Sequence, residues 1–128
     1  MKIEVSIGEV IDKITILQIK QQKIKDEKKL RYISEELEVL SKSLEIERIK
    51  VPHHMVEELK QINLELWVAE DIIRDCENRK DFGEDFVKCA RLDAILNDKR
   101  FLAKNKINNH SNSILKEQKS YEGLYTSD

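Results

Sequence analysis

Glycine, proline and aromatic residues are scarce in this sequence. Its 128 residues include three Gly and one Pro, and aromatic residues make up 5% of the chain. Aromatic residues are enriched in β-strands, and Gly and Pro in tight turns, so the composition disfavours a protein built of sheets. Charged residues make up 38% and hydrophobic residues 40%, a balance typical of long amphipathic helices. The length fits one domain with a core of its own. We therefore expect a single all-α domain over residues 1–128.

Charge of one sign and long apolar runs are also missing. The formal net charge is -2, so no overall field attracts nucleic acid or an anionic membrane. The opening residues carry one lysine and then a glutamate, and no long apolar run follows, so neither a signal peptide nor a membrane span is predicted. We expect a cytoplasmic protein that binds neither nucleic acid nor membranes.

The usual signatures of metal and nucleophilic catalysis are absent from the sequence. Cys76 and Cys89 lack CxxC spacing and have no histidine pair at zinc-site distance, so both are expected to be reduced rather than joined in a disulfide. His53 and His54 are expected to lie exposed in a linker. No Gly-rich phosphate loop, nucleophile elbow or H-E-x-x-H motif occurs. The sequence therefore predicts no metal site and no cofactor, and an enzyme is not the favoured interpretation.

Apolar residues recur at three- and four-residue spacing in four segments, which predicts four amphipathic helices. The predicted helices cover about residues 6–25, 27–48, 54–78 and 84–109. Paired in sequence order, they form antiparallel hairpins in a coiled-coil-like bundle. The alternating start, M-K-I-E-V, predicts a short extended arm. Residues 110–128 are mostly polar, so we expect a tail there that docks through Tyr121 and Tyr125.

Capping and turn residues mark where these helices begin and end. Ser6 and Glu9 form a capping box in which each side chain accepts a hydrogen bond from a free amide. Asp26 is the predicted N-cap of helix 2. Pro52 is expected to end helix 2, because proline lacks an amide donor and disfavours helix at the residue before it. Gly83 marks the turn between helices 3 and 4.

The four apolar stripes need a partner surface. At roughly 25 cal/mol per Å² of apolar area, burial of one five-residue stripe is favourable by several kcal/mol. Helices 3 and 4, at about 20 to 25 residues each, would be on the order of 30 to 37 Å long, with part of their apolar surface left uncovered. We therefore predict a homo-oligomer, with a dimer favoured, or binding to another protein.

Polar residues interrupt the stripes of helices 3 and 4, where a buried polar group is costly unless it is paired. In an antiparallel hairpin about Gly83, the end of helix 3 lies level with Asp93 to Asn97. The candidate ligand-binding residues are Glu70, Asp71, Arg74, Asn97, Asp98 and Arg100. In one interpretation the carboxylates bind a cation and Arg74, Arg100 and Lys104 bind a phosphate or carboxylate. In the other, these residues form a salt-bridge network that fixes helix register.

Helix 1 raises the same question with Glu9, Asp12 and Lys13. In one interpretation these three residues are a secondary candidate site. In the other, Glu9 caps the helix, and Asp12 and Lys13 face water.

Several motifs resemble an uncharacterised family of short bacterial and phage proteins. They are M-K-I-E-V-S-I-G-E-V-I-D-K-I-T-I-L-Q-I-K, L-W-V-A-E-D-I-I-R, L-N-D-K-R with K-I-N, and E-Q-K-S-Y. The resemblance covers nearly the whole chain and implies an association with glycosyltransferases or surface-polysaccharide genes. It points to Gly8, Glu9, Asp12, Lys13, Trp67, Glu70, Asp71, Arg74, Asn97, Asp98, Arg100 and Tyr121. The stretch around Asp93 departs from the family pattern, where an aromatic residue is expected.

Two hypotheses follow. The first is an oligomeric helical accessory or scaffold module linked to surface-polysaccharide biosynthesis. The second is a small-molecule- or metal-binding pocket, with or without enzymatic activity, between helices 3 and 4. A scaffold predicts that the six candidate side chains pair with one another and leave no cavity, whereas a binding site predicts a concave pocket with several of them unpaired.

Overall fold

The computed structural model describes residues 1–111, which contain four α-helices and no strand. They are α1 (Ile7–Lys23), α2 (Glu27–Ile46), α3 (His53–Arg79) and α4 (Glu84–His110). The all-α prediction is confirmed, and the predicted helix ends agree with the observed ones to within about two residues. The predicted docking of Tyr121 and Tyr125 lies outside the described residues.

The helix starts follow the predicted caps in part. The Ser6 hydroxyl accepts a hydrogen bond from the Glu9 amide at 3.1 Å, and the Asp26 carboxylate accepts one from the Lys29 amide at 3.0 Å. Each cap satisfies an amide that has no partner within its helix. The second half of the predicted capping box is wrong, because the Glu9 carboxylate forms an ion pair with Lys104 instead.

Pro52 begins α3 rather than ending α2. Helix α2 already ends at Ile46, and Arg48 adopts a left-handed backbone conformation with φ 55°. Pro52 then occupies the N-cap of α3, and its carbonyl accepts hydrogen bonds from the amides of Met55 and Val56. This position suits proline, because the first residues of a helix need no amide hydrogen bond within the helix.

Helix α1 lies at the centre of the packing. It contacts α2 on one side and both helices of the antiparallel α3–α4 hairpin on the other, as expected for a helix with apolar residues on more than one face. The core cluster joins one side chain of α1 to three of α3 and three of α4. It contains Ile11, Leu59, Ile62, Leu66, Leu96, Ala103 and Ile107.

Helix α2 is less buried than its regular stripe suggests. Its stripe consists of five residues at three- and four-residue spacing, of which Ile33 is buried, whereas Leu30, Leu37, Leu40 and Leu44 are half-buried. The reason is that α2 packs against α1 and not against the α3–α4 hairpin. Ile3 and Val5 of the N-terminal arm border the same groove as Leu40 and Leu44.

The α3–α4 hairpin extends beyond α1. Both hairpin helices have 27 residues and α1 has 17, which correspond to roughly 40 Å and 26 Å at the α-helical rise. Cys76 and Cys89 are free thiols in this distal part, as predicted, and burial raises the pKa of the Cys76 thiol, which keeps it protonated. Within residues 1–111, no helix has the length and apolar character needed to span a membrane.

Candidate functional site

The inward face of α4 is polar along most of its length. Its residues recur every three or four positions, which places them on one side of the helix. They are Asp93, Asn97, Arg100, Lys104 and Asn108. Because α1 packs against this part of the hairpin, its own polar side chains meet those of α4 in the interior.

Asp12 of α1 is the centre of a buried polar cluster. Its side chain is 1% exposed. One carboxylate oxygen accepts hydrogen bonds from Arg100 Nε and Asn63 Nδ2, each at 2.9 Å, and the other accepts one from the second guanidinium arm of Arg100. Asn63 Nδ2 also donates to the Thr15 hydroxyl at 2.9 Å. The cluster therefore joins α1, α3 and α4 through a two-point arginine–carboxylate pair.

The start of α1 is attached to the end of α4 by two further contacts. Lys104 Nζ lies 2.7 Å from the Glu9 carboxylate, and Asn108 Oδ1 accepts a hydrogen bond from the Gly8 amide at 2.6 Å. Lys104 and Asn108 are both buried. Lys13, by contrast, forms an exposed pair with Glu36 of α2 at 2.8 Å. Asp12 thus contacts α4 in the interior, Glu9 contacts it with a side chain that is 43% exposed, and Lys13 lies at the surface.

A cavity of about 300 Å³ lies beside the Asp12 cluster, where α1, α3 and α4 come together. Its walls combine apolar, aromatic and charged side chains. They are Ile16, Ile19, Lys20, Asn63, Leu66, Trp67, Glu70, Asp71, Arg74 and Arg100. The α3 residues are spaced for a single helix face, from Asn63 to Arg74. The volume is at the small end of the range for ligand pockets.

The charges around this cavity are unevenly paired. Arg100 is bound to Asp12, whereas Lys20, Asp71 and Arg74 form neither a salt bridge nor a side-chain hydrogen bond with any residue in the 1–111 range. Trp67 is half-buried in the same wall. The cavity therefore has a paired interior and charged side chains near its mouth that are available to a ligand.

Glu70 lies next to a second carboxyl group, that of Asp93 on α4. Although Glu70 is an exposed residue overall, partial desolvation and the neighbouring Asp93 carboxyl raise the pKa of Glu70 from its ordinary value of 4.5. The positive charges of Arg74 and Arg100 act in the opposite direction. The folded chain therefore binds the Glu70 proton more tightly than the unfolded chain does.

This raised pKa predicts a pH-dependent cost in stability. An acid that binds its proton more tightly in the folded chain contributes full stability below its unfolded pKa, and that contribution is lost as the pH rises through the folded pKa. Glu70→Gln should therefore stabilise the protein relative to wild type at neutral pH, and the difference should vanish near about pH 4. Urea unfolding of both proteins from about pH 4 to about pH 8 measures this difference. A difference that stays constant with pH would contradict the assignment.

The predicted site residues divide into three groups. Glu70, Asp71, Arg74 and Arg100 come together at the cavity. Asn97 donates back to Asp93 within α4, to its carbonyl at 3.0 Å, and Asp98 is buried away from the cavity lining. In the described part of the chain, no group of three His, Cys, Asp or Glu side chains could hold a metal ion.

Two contributors, Thr15 and Lys20, were not identified from the sequence. Thr15 and Lys20 follow Asp12 by three and eight positions, and helical spacing from Asp12 is the sequence signal that could have identified them.

Comparison with known proteins identifies a family but no characterised relative. A family model described as "Family of unknown function (DUF6165)" matches residues 1–127. No curated protein and no solved structure matches the chain.

Proposed function

The chain belongs to the DUF6165 family of unknown function, and we propose that it binds a small molecule carrying a compact anionic group. The proposed binding site is the cavity between α1, α3 and α4. The observation that carries the proposal is the pair of cations at this cavity, Lys20 and Arg74, which have no ion-pair partner among residues 1–111. A phosphate or carboxylate supplies the missing negative charge.

Two cations at the cavity remain for an anion. Asp12 already neutralises Arg100, whereas neither Lys20 nor Arg74 has an ion-pair partner among residues 1–111. Of the two acidic groups at the cavity, Asp71 is also unpaired in that range, and Glu70 lies beside the Asp93 carboxyl, which raises the pKa of Glu70. Arginine can bind the two oxygens of a phosphate or carboxylate through parallel hydrogen bonds, and lysine adds a point charge.

Trp67 and Asp71 suggest what the rest of the ligand offers. The indole of Trp67 presents a flat apolar surface against which a planar or apolar group can pack. The Asp71 carboxylate can accept hydrogen bonds from hydroxyl or amino groups. A ligand with an anionic end, a planar or apolar body and a few donors would satisfy all of these side chains.

The same geometry bears on the choice between a binding site and a scaffold. The scaffold hypothesis predicts paired side chains and no cavity, so the cavity bordered by Lys20, Asp71 and Arg74, all unpaired within the described range, supports binding. The accessory role and its link to surface-polysaccharide biosynthesis stay predictions, because none of the contacts described above bears on them.

Intrinsic fluorescence provides a direct test, because Trp67 is the single tryptophan of the chain. We expect phenyl phosphate, which joins a compact anion to a planar ring, to change the Trp67 emission saturably. Inorganic phosphate tests the anion without the ring. Benzoate replaces the phosphate with a carboxylate, and phenol tests the ring without the anion. Arg74→Gln should weaken phenyl phosphate binding at least about tenfold, because a charge-assisted hydrogen bond contributes about 1.5–3 kcal/mol.

Arg79→Gln is the matched control, because Arg79 is on the same helix but pairs with Asp75 outside the cavity. It should leave binding unchanged. The proposal fails if none of the anionic probes gives a saturable signal. It also fails if the Arg74 and Arg79 variants lose the same affinity, since that would indicate a nonspecific charge effect.

A further inference from the structure

The distal part of the α3–α4 hairpin has a face that no other helix covers. We define this hairpin face by Glu65, Val68, Ile72, Cys89, Leu92, Ile95 and Lys99. Val68 is 52% exposed and Leu92 41%, and they border a shared groove with Ile72 and Cys89. Ile95 extends the apolar surface beside Leu92. This face and the cavity lie on opposite sides of α3. At 3.6 residues per turn, Val68 and Ile72 point to one side of the helix, whereas Trp67 and Glu70 point to the side of the cavity.

The charges on and beside this face are divided between its two helices. Glu65 lies on the α3 side and Lys99 on the α4 side, and Lys88 and Arg91 lie beside the face on α4. No residue in the described range forms an ion pair with any of these four. The α3 edge therefore offers an unpaired negative charge, and the α4 edge offers unpaired positive charges.

The register of the hairpin shows which residues share a level. Glu58 of α3 pairs with Lys106 of α4 at 3.1 Å. One heptad further along α3 is Glu65, and one heptad back along α4 is Lys99. A second heptad brings Ile72 level with Leu92, and Val68 lies level with Ile95 between them. Each α3 residue of the hairpin face thus has a complementary α4 residue at the same height.

From this register we propose that two copies of the chain pair through the hairpin face. Their two-fold axis runs parallel to the helices, between the two hairpins, so that both tips point the same way. Such an axis places α3 of one copy over α4 of the other. Rotation about it leaves the position of each residue along the helix direction unchanged. Glu65 then faces Lys99 of the second copy, Val68 faces its Ile95 and Ile72 faces its Leu92. By symmetry every contact occurs twice.

A dimer of adequate size needs contact along more of the hairpin than the hairpin face alone. From Gln61 to Arg79 the hairpin runs roughly 27 Å, and two helices side by side are about 20 Å wide. Pairing along this whole length covers roughly 540 Å² on each copy, or about 1,080 Å² in total, just above the total of about 1,000 Å² expected of a specific interface. A small interface of this kind depends on its charges for orientation.

The first experiment compares two valine variants by sedimentation velocity. Wild type should sediment as a dimer of the 15.1 kDa chain. Val68→Asp should give monomers, because it places a carboxylate inside the apolar contact. Val39→Asp is the matched control, since Val39 is 63% exposed on α2 and far in sequence from the hairpin. It should remain dimeric. A monomeric wild type at every concentration, or a dimer in the folded Val68 variant, would overturn the proposal.

A charge exchange tests the orientation without burying a charge. Glu65→Lys and Lys99→Glu should each weaken the dimer on the order of tenfold, because each puts like charges opposite one another twice. The double variant, Glu65→Lys with Lys99→Glu, should recover the wild-type dimer. If each single variant weakens the dimer but the double variant does not recover it, the proposed axis is wrong. These variants remain informative if Val68→Asp fails to fold.

Discussion

Asp12→Ala is expected to lower the free energy of unfolding by about 3–5 kcal/mol, the cost of removing one partner of a buried ion pair. Asp12 accepts hydrogen bonds from both Arg100 and Asn63 in the interior. Its loss leaves the Arg100 guanidinium without that counter-charge and Asn63 short of an acceptor. A chain of this size should melt roughly 12–20 °C lower. Differential scanning calorimetry and urea unfolding measure both quantities.

Lys13→Ala is the matched control for this prediction. Lys13 is the next residue of α1 and also forms an ion pair, but its side chain is 56% exposed and that of its partner Glu36 is 44% exposed. Surface pairs of this kind contribute about 0–1 kcal/mol. Equal losses in the Asp12 and Lys13 variants would mean that the interior cluster does not contribute more than a surface pair.

Asp12→Asn separates charge from shape at the same position. The amide keeps the size of the side chain and one acceptor oxygen, but it removes the negative charge and adds a donor that faces Arg100. We expect a loss close to that of alanine, because the Arg100 guanidinium loses the counter-charge of Asp12 in both variants. A variant nearly as stable as wild type would show that hydrogen bonding, not charge, stabilises the cluster.

The helices and their order could be predicted from the sequence, because they depend on local features. The stripes of α1 to α4 have a period close to that of the helix, and Ser6 and Asp26 act as N-caps within four residues of the amides they bind. Pro52 was assigned to the wrong helix because proline is compatible with both the end of one helix and the start of the next.

The candidate site was predictable only as a set of polar residues that needed partners. Arg100 and Asp12 lie 88 residues apart, and their contact depends on how α1 packs into the hairpin. That packing is determined by many apolar contacts together, so no short pattern in the sequence reveals it. The antiparallel register did bring Glu70 to the level of Asp93, as expected for a hairpin about Gly83. It did not bring Asp98 to the cavity, because Asp98 faces another side of α4.

The proposed binding site and the proposed dimer face use opposite sides of α3. Trp67, Glu70 and Arg74 belong to the cavity, whereas Val68 and Ile72 belong to the hairpin face. The two proposals can therefore be tested separately. A variant on one side should leave the other intact, so Val68→Asp should still bind phenyl phosphate and Arg74→Gln should still form dimers.

Gly8→Ala should destabilise the protein even though alanine is the better helix former. Alanine would gain at most about 1 kcal/mol in helix propensity within α1. A Cβ atom at Gly8, however, would lie 2.5 Å from the Lys104 carbonyl oxygen and 2.8 Å from Asn108 Oδ1. The carbonyl belongs to the α4 backbone and cannot rotate away, so α1 must shift. Overpacking of this kind costs about 1–3 kcal/mol, and the shift also weakens the hydrogen bond from the Gly8 amide to Asn108.

Gly83→Ala is the control, because the added Cβ would meet only the end of the Asp81 side chain, at 3.2 Å. Restricting the unfolded chain favours alanine by about 0.4–1 kcal/mol, but Gly83 is the N-cap of α4, where alanine is less favourable than glycine. Urea unfolding should therefore show a clear loss of stability for Gly8→Ala and a smaller change for Gly83→Ala. If Gly8→Ala were as stable as wild type, the start of α1 would have room to move away from α4, and its close approach would not be required for folding.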